Sequence, residues 1–82
     1  MRNKHYNHKY KKEYNEIVLQ RHQRIPVYKN YCVGDKVYMW GILKAVIWRG
    51  DEKHVYLIFE DDFSSGIIDK EYFDLQIKRR QM

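Results

Sequence analysis

A single cysteine, Cys32, a single proline, Pro26, and only four glycines stand in 82 residues. One thiol cannot close an intrachain disulfide, so no covalent staple supports the fold and a reducing compartment is expected. The few glycines form neither a G-x-G-x-x-G nor a P-loop arrangement, which excludes the glycine-rich cradles that hold nucleotide phosphates. No run of about 20 apolar residues is present to cross a bilayer, and the first thirty residues contain no signal-peptide core. A soluble, cytoplasmic chain with no membrane partner is the expectation.

What is present is charge and aromatic surface. A third of the residues are charged, 44% are hydrophobic and 16% are aromatic. A chain this short makes one domain and buries only about 60% of its unfolded surface, so a deep, walled active site is not expected. The net charge of +5 conceals an asymmetry. Residues 1–30 sum to +6, residues 31–75 to −4, and Lys78-Arg79-Arg80 returns +3. An acidic body with two basic ends meets a polyanion through its ends.

From Asn3 to Gln23 no glycine or proline interrupts the chain, and Tyr6, Tyr10, Tyr14 and Ile17/Val18 recur three or four residues apart. That spacing predicts a helix with one aromatic face, capped by Asn3 and supported by Lys9–Glu13 and Lys12–Glu16 pairs. The face either packs on the domain that follows or belongs to an arm that orders on a partner. Pro26 ends the segment. Beyond Val33 the period changes to two. Strands are expected at Lys36 to Trp40, Leu43 to Trp48 and His54 to Phe59, with a tight bend at Gly41 and a hairpin at Arg49-Gly50-Asp51-Glu52. Ile67 and Ile68 begin a fourth strand, Lys70 to Phe73 form one helical turn, and Leu75 to Ile77 end the series. The expected fold is mainly β with an N-terminal helix: a basic helical arm over 1–30, a five-stranded SH3-like barrel over 31–77, because closure removes unpaired edges, and a basic tail over 78–82.

Residues 33–75, from Val33-Gly34-Asp35-Lys36-Val37-Tyr38-Met39-Trp40 through Val55-Tyr56-Leu57-Ile58-Phe59-Glu60-Asp61-Asp62-Phe63 to Asp74-Leu75, resemble the Tudor and related SH3-like barrels, including KOW-type domains. The resemblance implies a small barrel that binds a partner. In Tudor domains an aromatic cage beside an acid holds methylated lysine or arginine, since ring faces attract a cation. Trp40, Phe59, Asp61 and Phe63 match four such positions. The chain departs from the family after the tryptophan: Gly41-Ile42-Leu43-Lys44-Ala45 runs straight into the second strand where members insert a further cage aromatic, so a cage here is open on one side.

The chemistry-bearing groups point away from catalysis. His5 and His8 sit three apart but find only His22, Cys32 and His54 as further ligands, short of a recognisable zinc set, and no cofactor is expected. Cys32 with His54 as nucleophile and base, or Glu60-Asp61-Asp62 as an acid–base cluster, each lacks the opposing group that catalysis needs. The basic arm interleaved with tyrosines is the stronger signal, because lysine and arginine neutralise phosphates while tyrosine stacks on bases. The expected function is therefore non-enzymatic nucleic-acid association, to DNA or RNA, through Lys4, Lys9, Lys11, Lys12, Arg21 and Arg24 with Tyr6 and Tyr10 stacking, as a regulator beside transcription or translation machinery. The alternative is a protein-interaction module or small inhibitor docking through the acidic and aromatic face, Trp40, Phe59, Asp61 and Phe63.

Overall fold

The computed structural model describes residues 9–19 and 24–80. Helix α1, Lys11–Leu19, leads into two short paired strands, β1 (Pro26–Tyr28) and β2 (Tyr31–Cys32). A meander follows: β3 (Lys36–Met39), β4 (Leu43–Gly50), β5 (His54–Phe59) and β6 (Ser65–Asp69). A 3-10 turn (Lys70–Tyr72) and the single helical turn α2 (Phe73–Gln76) then deliver β7 (Ile77–Arg79). The five longer-range strands form one antiparallel sheet in the order β6-β5-β4-β3-β7. Among the described residues β6 and β7 remain its two edges, with no ladder between them.

One face of the sheet wraps the main core. Val37, Met39, Ala45, Ile47, Val55, Leu57, Ile68, Phe73 and Ile77 meet there, each buried. Phe73 is the largest of them, sealed by the rings of Tyr28 at 5.1 Å and Tyr31 at 4.7 Å. The β1–β2 ribbon thus closes one end of the core, although β1 lies within the span 1–30 expected of the arm. Proline suits this place because it opens a short strand where a missing N–H costs little.

The other face is covered by α1. Ile17 is buried against Val46 and Ile58, with Tyr10, Tyr14, Val18 and Trp48 packed round them. Double coverage explains why Ala45, Val46 and Ile47 are all buried instead of alternating in and out. Of the two arrangements open for the helical face, packing on the domain is the one observed. The described helix is shorter than the span from Asn3 to Gln23, whose ends lie outside the described residues. Neither Lys9–Glu13 nor Lys12–Glu16 forms an ion pair among the described residues, so packing, not surface charge, holds α1.

Lys78, Arg79 and Arg80 belong to the folded body, not to a free tail. Lys78 and Arg79 pair with Tyr38 and Val37 of β3. Arg79 Nη1 donates to Asp35 at 3.0 Å, and the same carboxylate accepts the Cys32 N–H at 2.9 Å. Asp35 is the buried acid of the domain, 5% exposed, and its two donors are what make burial tolerable. Arg80 grips Glu60 with both terminal nitrogens, at 3.1 and 2.7 Å, while Tyr14 Oη donates to Glu60 at 3.0 Å. Helix α1, the end of β5 and the end of β7 are thereby tied through one carboxylate. Burial alone would raise the Glu60 carboxyl, but the Arg80 and Tyr14 donors favour its charged form and hold it below the ordinary glutamate value.

Candidate functional site

Two surfaces stand out. The first begins in the turn before α1 and crosses the outer face of the sheet. The pairing of β4 with β5 shifts register between Ile47 and Arg49, leaving Trp48 as an extra residue in β4. Such a bulge re-aims side chains. Trp48 stands against Tyr10, ring centres 5.0 Å apart, and edge-on to Tyr56 at 6.4 Å. The Arg49 guanidinium lies over both Trp48, at 5.3 Å, and its cross-strand neighbour Tyr56, at 4.4 Å. Lys9 Nζ sits over Tyr10 at 5.5 Å, so cations and rings form one row of Lys9, Tyr10, Trp48, Arg49 and Tyr56. Lys11 and Lys12 are exposed on α1.

Asp51 holds the far end of this row. It accepts the Lys53 and His54 N–H groups at 2.9 and 2.8 Å and the Tyr56 hydroxyl at 2.9 Å. The Lys53 amide first, then the Tyr56 hydroxyl, hold its carboxyl well below the usual aspartate range. The same hydrogen bond to Asp51 is the main reason the Tyr56 phenol is raised. The hairpin tip is fixed and keeps Tyr56 pointing along the row.

The second surface is a groove between β6 and the end of the β3–β4 turn. That turn runs from Met39 to Ile42, with Ile42 N–H bonded to Met39 C=O at 3.3 Å and both central residues left-handed, Trp40 at φ 56° and Gly41 at φ 78°. Glycine adopts this backbone freely; for tryptophan it is strained by about 1–2 kcal/mol. Gln76 pins it there twice. The Trp40 N–H donates to Gln76 C=O at 2.7 Å, and the indole N–H donates to Gln76 Oε1 at 3.0 Å. The indole is nonetheless 60% exposed. It shares the groove with Phe59, Tyr72, Ile67 and Ile68, and Ile67 is 57% exposed. Gly66 is required by close approach, since a Cβ there would stand 2.7 Å from Phe59 Cε2. Strain held at an exposed aromatic by specific bonds is the pattern of a binding position.

The residues singled out from the sequence divide between these surfaces. Lys9, Lys11, Lys12 and Arg24 are exposed, whereas Lys4, Tyr6 and Arg21 lie outside the described residues, as do His5, His8 and His22. Tyr10 is half-buried against Trp48 and does not present a free ring for stacking. The four cage positions do not converge. Trp40 and Phe59 line one groove, and Asp61 lies in a neighbouring depression with Ile42 and Lys44. Phe63 turns under α1, edge-on to Tyr14 at 5.2 Å with Lys11 Nζ 5.8 Å from its ring. Its carbonyl accepts the Tyr10 N–H at 3.2 Å, which commits it to the helix.

Trp48, Arg49 and Tyr56 escaped the sequence reading, as did Tyr72 and Gln76. The Arg49–Tyr56 pairing follows from the hairpin register once the turn length is known; the Gln76–Trp40 contact joins positions 36 apart and leaves no local signal. Cys32 is buried and free. Among the described residues no cluster of three or more histidine, cysteine or acidic side chains could hold a metal ion, and no helix is long and apolar enough to cross a membrane. Comparison with protein-family models, curated proteins and solved structures finds no match to the chain.

Proposed function

We propose that this chain is a non-enzymatic binding module of the SH3-like barrel type that holds nucleic acid along the Lys9–Tyr10–Trp48–Arg49–Tyr56 row. The barrel reading is supported by the meander whose one face gathers the main core, with a helical turn before a last strand that returns to pair with the first of the five. The observation that carries the function is the Arg49 guanidinium stacked on two rings beside exposed Lys9 in the turn before α1 and exposed Lys11 and Lys12 on it. Phosphates are neutralised by the cations, and bases stack on aromatic rings and on the guanidinium plane, which needs no sequence code. A role as a regulator beside transcription or translation machinery accords with a small basic module of this kind.

The test is fluorescence anisotropy with labelled single- and double-stranded DNA and RNA at about 50 and 200 mM salt. Replacing Lys9, Lys11, Lys12 and Arg49 by alanine lowers the salt slope by about 3, since each lost phosphate contact removes about 0.7–0.9. An unchanged slope refutes the reading.

A second reading is favoured by the strained, exposed Trp40 and its groove. Here the barrel docks a partner protein on its aromatic and acidic face, with Trp40 and Phe59 as the contact residues. Exposed apolar side chains gathered at one place mark such sites more often than scattered ones do.

A further inference from the structure

We infer that the free edge of β6 takes up an extended segment of a partner protein as an added strand, whose alternate side chains fill the Trp40 groove. The inference rests on the partner-docking reading and specifies how the partner is held.

Strand β6 pairs with β5 alone, through five residue pairs from Ser65↔Ile58 to Asp69↔His54 without a register shift. The bonds from Phe59 N–H to Ser64 C=O and from Lys70 N–H to Lys53 C=O, both 2.8 Å, set the phase of the ladder. In an antiparallel pair successive residues alternate between facing the partner strand and facing away. Gly66 and Ile68 therefore bond toward β5, and Ser65, Ile67 and Asp69 turn their N–H and C=O outward. No backbone group of the described residues meets them. The edge has no proline and no bulge, its central side chain is the exposed Ile67, and its one charged residue, Asp69, stands at its end.

The groove runs beside this edge. It is lined by Gly66, Ile67, Ile68 and Asp69 of β6 together with Trp40, Tyr72 and Gln76. The occupant follows from that chemistry. A polypeptide in extended form offers N–H and C=O groups at the spacing of the edge, and every second side chain would descend onto Trp40 and Phe59. Among the described residues Asp69 is the only charged residue lining the groove, with His54 Nε2 3.3 Å from its carboxylate; Lys70 and Glu71 follow it, and Asp61 shares the adjoining depression with Lys44. A basic residue in the segment complements Asp69, and a phosphate backbone does not. A second copy of the chain is a poorer fit, because its own β6 arrives with Trp40 and Tyr72 standing beside it. The occupant is thus a partner segment of about five or six residues, apolar at alternate positions and bearing a lysine or arginine.

Short random peptides displayed on phage are selected on the full chain, and those retained are synthesised, labelled and measured by anisotropy. Two variants separate the contributions. Ile67→Pro removes an outward N–H that β5 does not use, and Trp40→Gly removes the indole at a position whose backbone suits glycine. Strand addition requires that both variants weaken the selected peptides by about tenfold or more. In the unaltered protein the Ser65, Ile67 and Asp69 amides must also gain hydrogen-exchange protection on peptide binding, a readout that stands even if Ile67→Pro folds poorly. Peptides lost with Trp40→Gly but unaffected by Ile67→Pro, with the three amides still exchanging, overturn strand addition and leave partner docking standing. Selection of no peptide sensitive to either variant overturns both. Self-association in sedimentation that Ile67→Pro abolishes assigns the edge to a second copy and overturns the inference.

Discussion

Trp40 offers a quantitative check on the turn that shapes the groove. At ordinary positions glycine is less stable than alanine by about 0.5–1 kcal/mol, because it loses more freedom on folding. At φ 56° the order reverses, since alanine retains the left-handed penalty of about 1–2 kcal/mol and glycine does not. Both Trp40→Gly and Trp40→Ala lose the same indole contacts. With 40% of the residue covered, that loss is about 2 kcal/mol at 25 cal/mol per Å2 for a ring of this size. The difference between the two variants therefore isolates the backbone. Trp40→Gly is expected to be the more stable by about 0.5–1 kcal/mol, or about 2–8 °C in Tm for a domain of this length. Urea denaturation of the two proteins side by side measures it. Alanine equal to or more stable than glycine refutes the strained turn and the reasoning built on it.

Asp35→Ala removes the acceptor of the Cys32 N–H and of Arg79, and urea denaturation should show a loss of about 2–3 kcal/mol with nucleic-acid affinity unchanged in the folded fraction. Glu60 has a lowered folded pKa, so its contribution is present above the ordinary value of 4.5 and is lost as pH falls through the folded value. The stability gap between the unaltered protein and Glu60→Gln should therefore narrow as pH drops below that point; a gap constant in denaturation curves taken across this range contradicts the assignment. Gly66→Ala drives a Cβ against the Phe59 ring, and a destabilisation of about 1–3 kcal/mol is expected in thermal melts, with none if the ring swings clear.

The pattern of residues carried much of this architecture. The spacing of Tyr10, Tyr14 and Ile17 revealed which face of α1 is apolar, and the period of two revealed β3 to β5. The β1–β2 ribbon was not legible, because a three-residue strand opening on Pro26 reads like the end of an arm. Arg79 and Arg80 read as part of a basic tail because the acids that receive them, Asp35 and Glu60, lie 44 and 20 residues away. Glu60 was likewise hidden in Glu60-Asp61-Asp62, a run whose first member turns inward to Tyr14 and Arg80 while Asp61 stays exposed. Of the four proposed cage residues, chain direction at the β5–β6 turn separates Phe63 from Trp40 and Phe59. The sequence identified the basic side chains of the helix, but the bulge that sets Trp48 against Tyr10 and Arg49 over Tyr56 is a property of strand pairing.

The chain has two tryptophans, and they mark the two surfaces: Trp48 in the ring-and-cation row and Trp40 in the groove. Titrating a single-stranded oligonucleotide while following both indole N–H signals by NMR tests most directly whether the row is the nucleic-acid contact. The account predicts that the Trp48 signal shifts and saturates while that of Trp40 stays in place. A shift of Trp40 alone, or of neither, contradicts it.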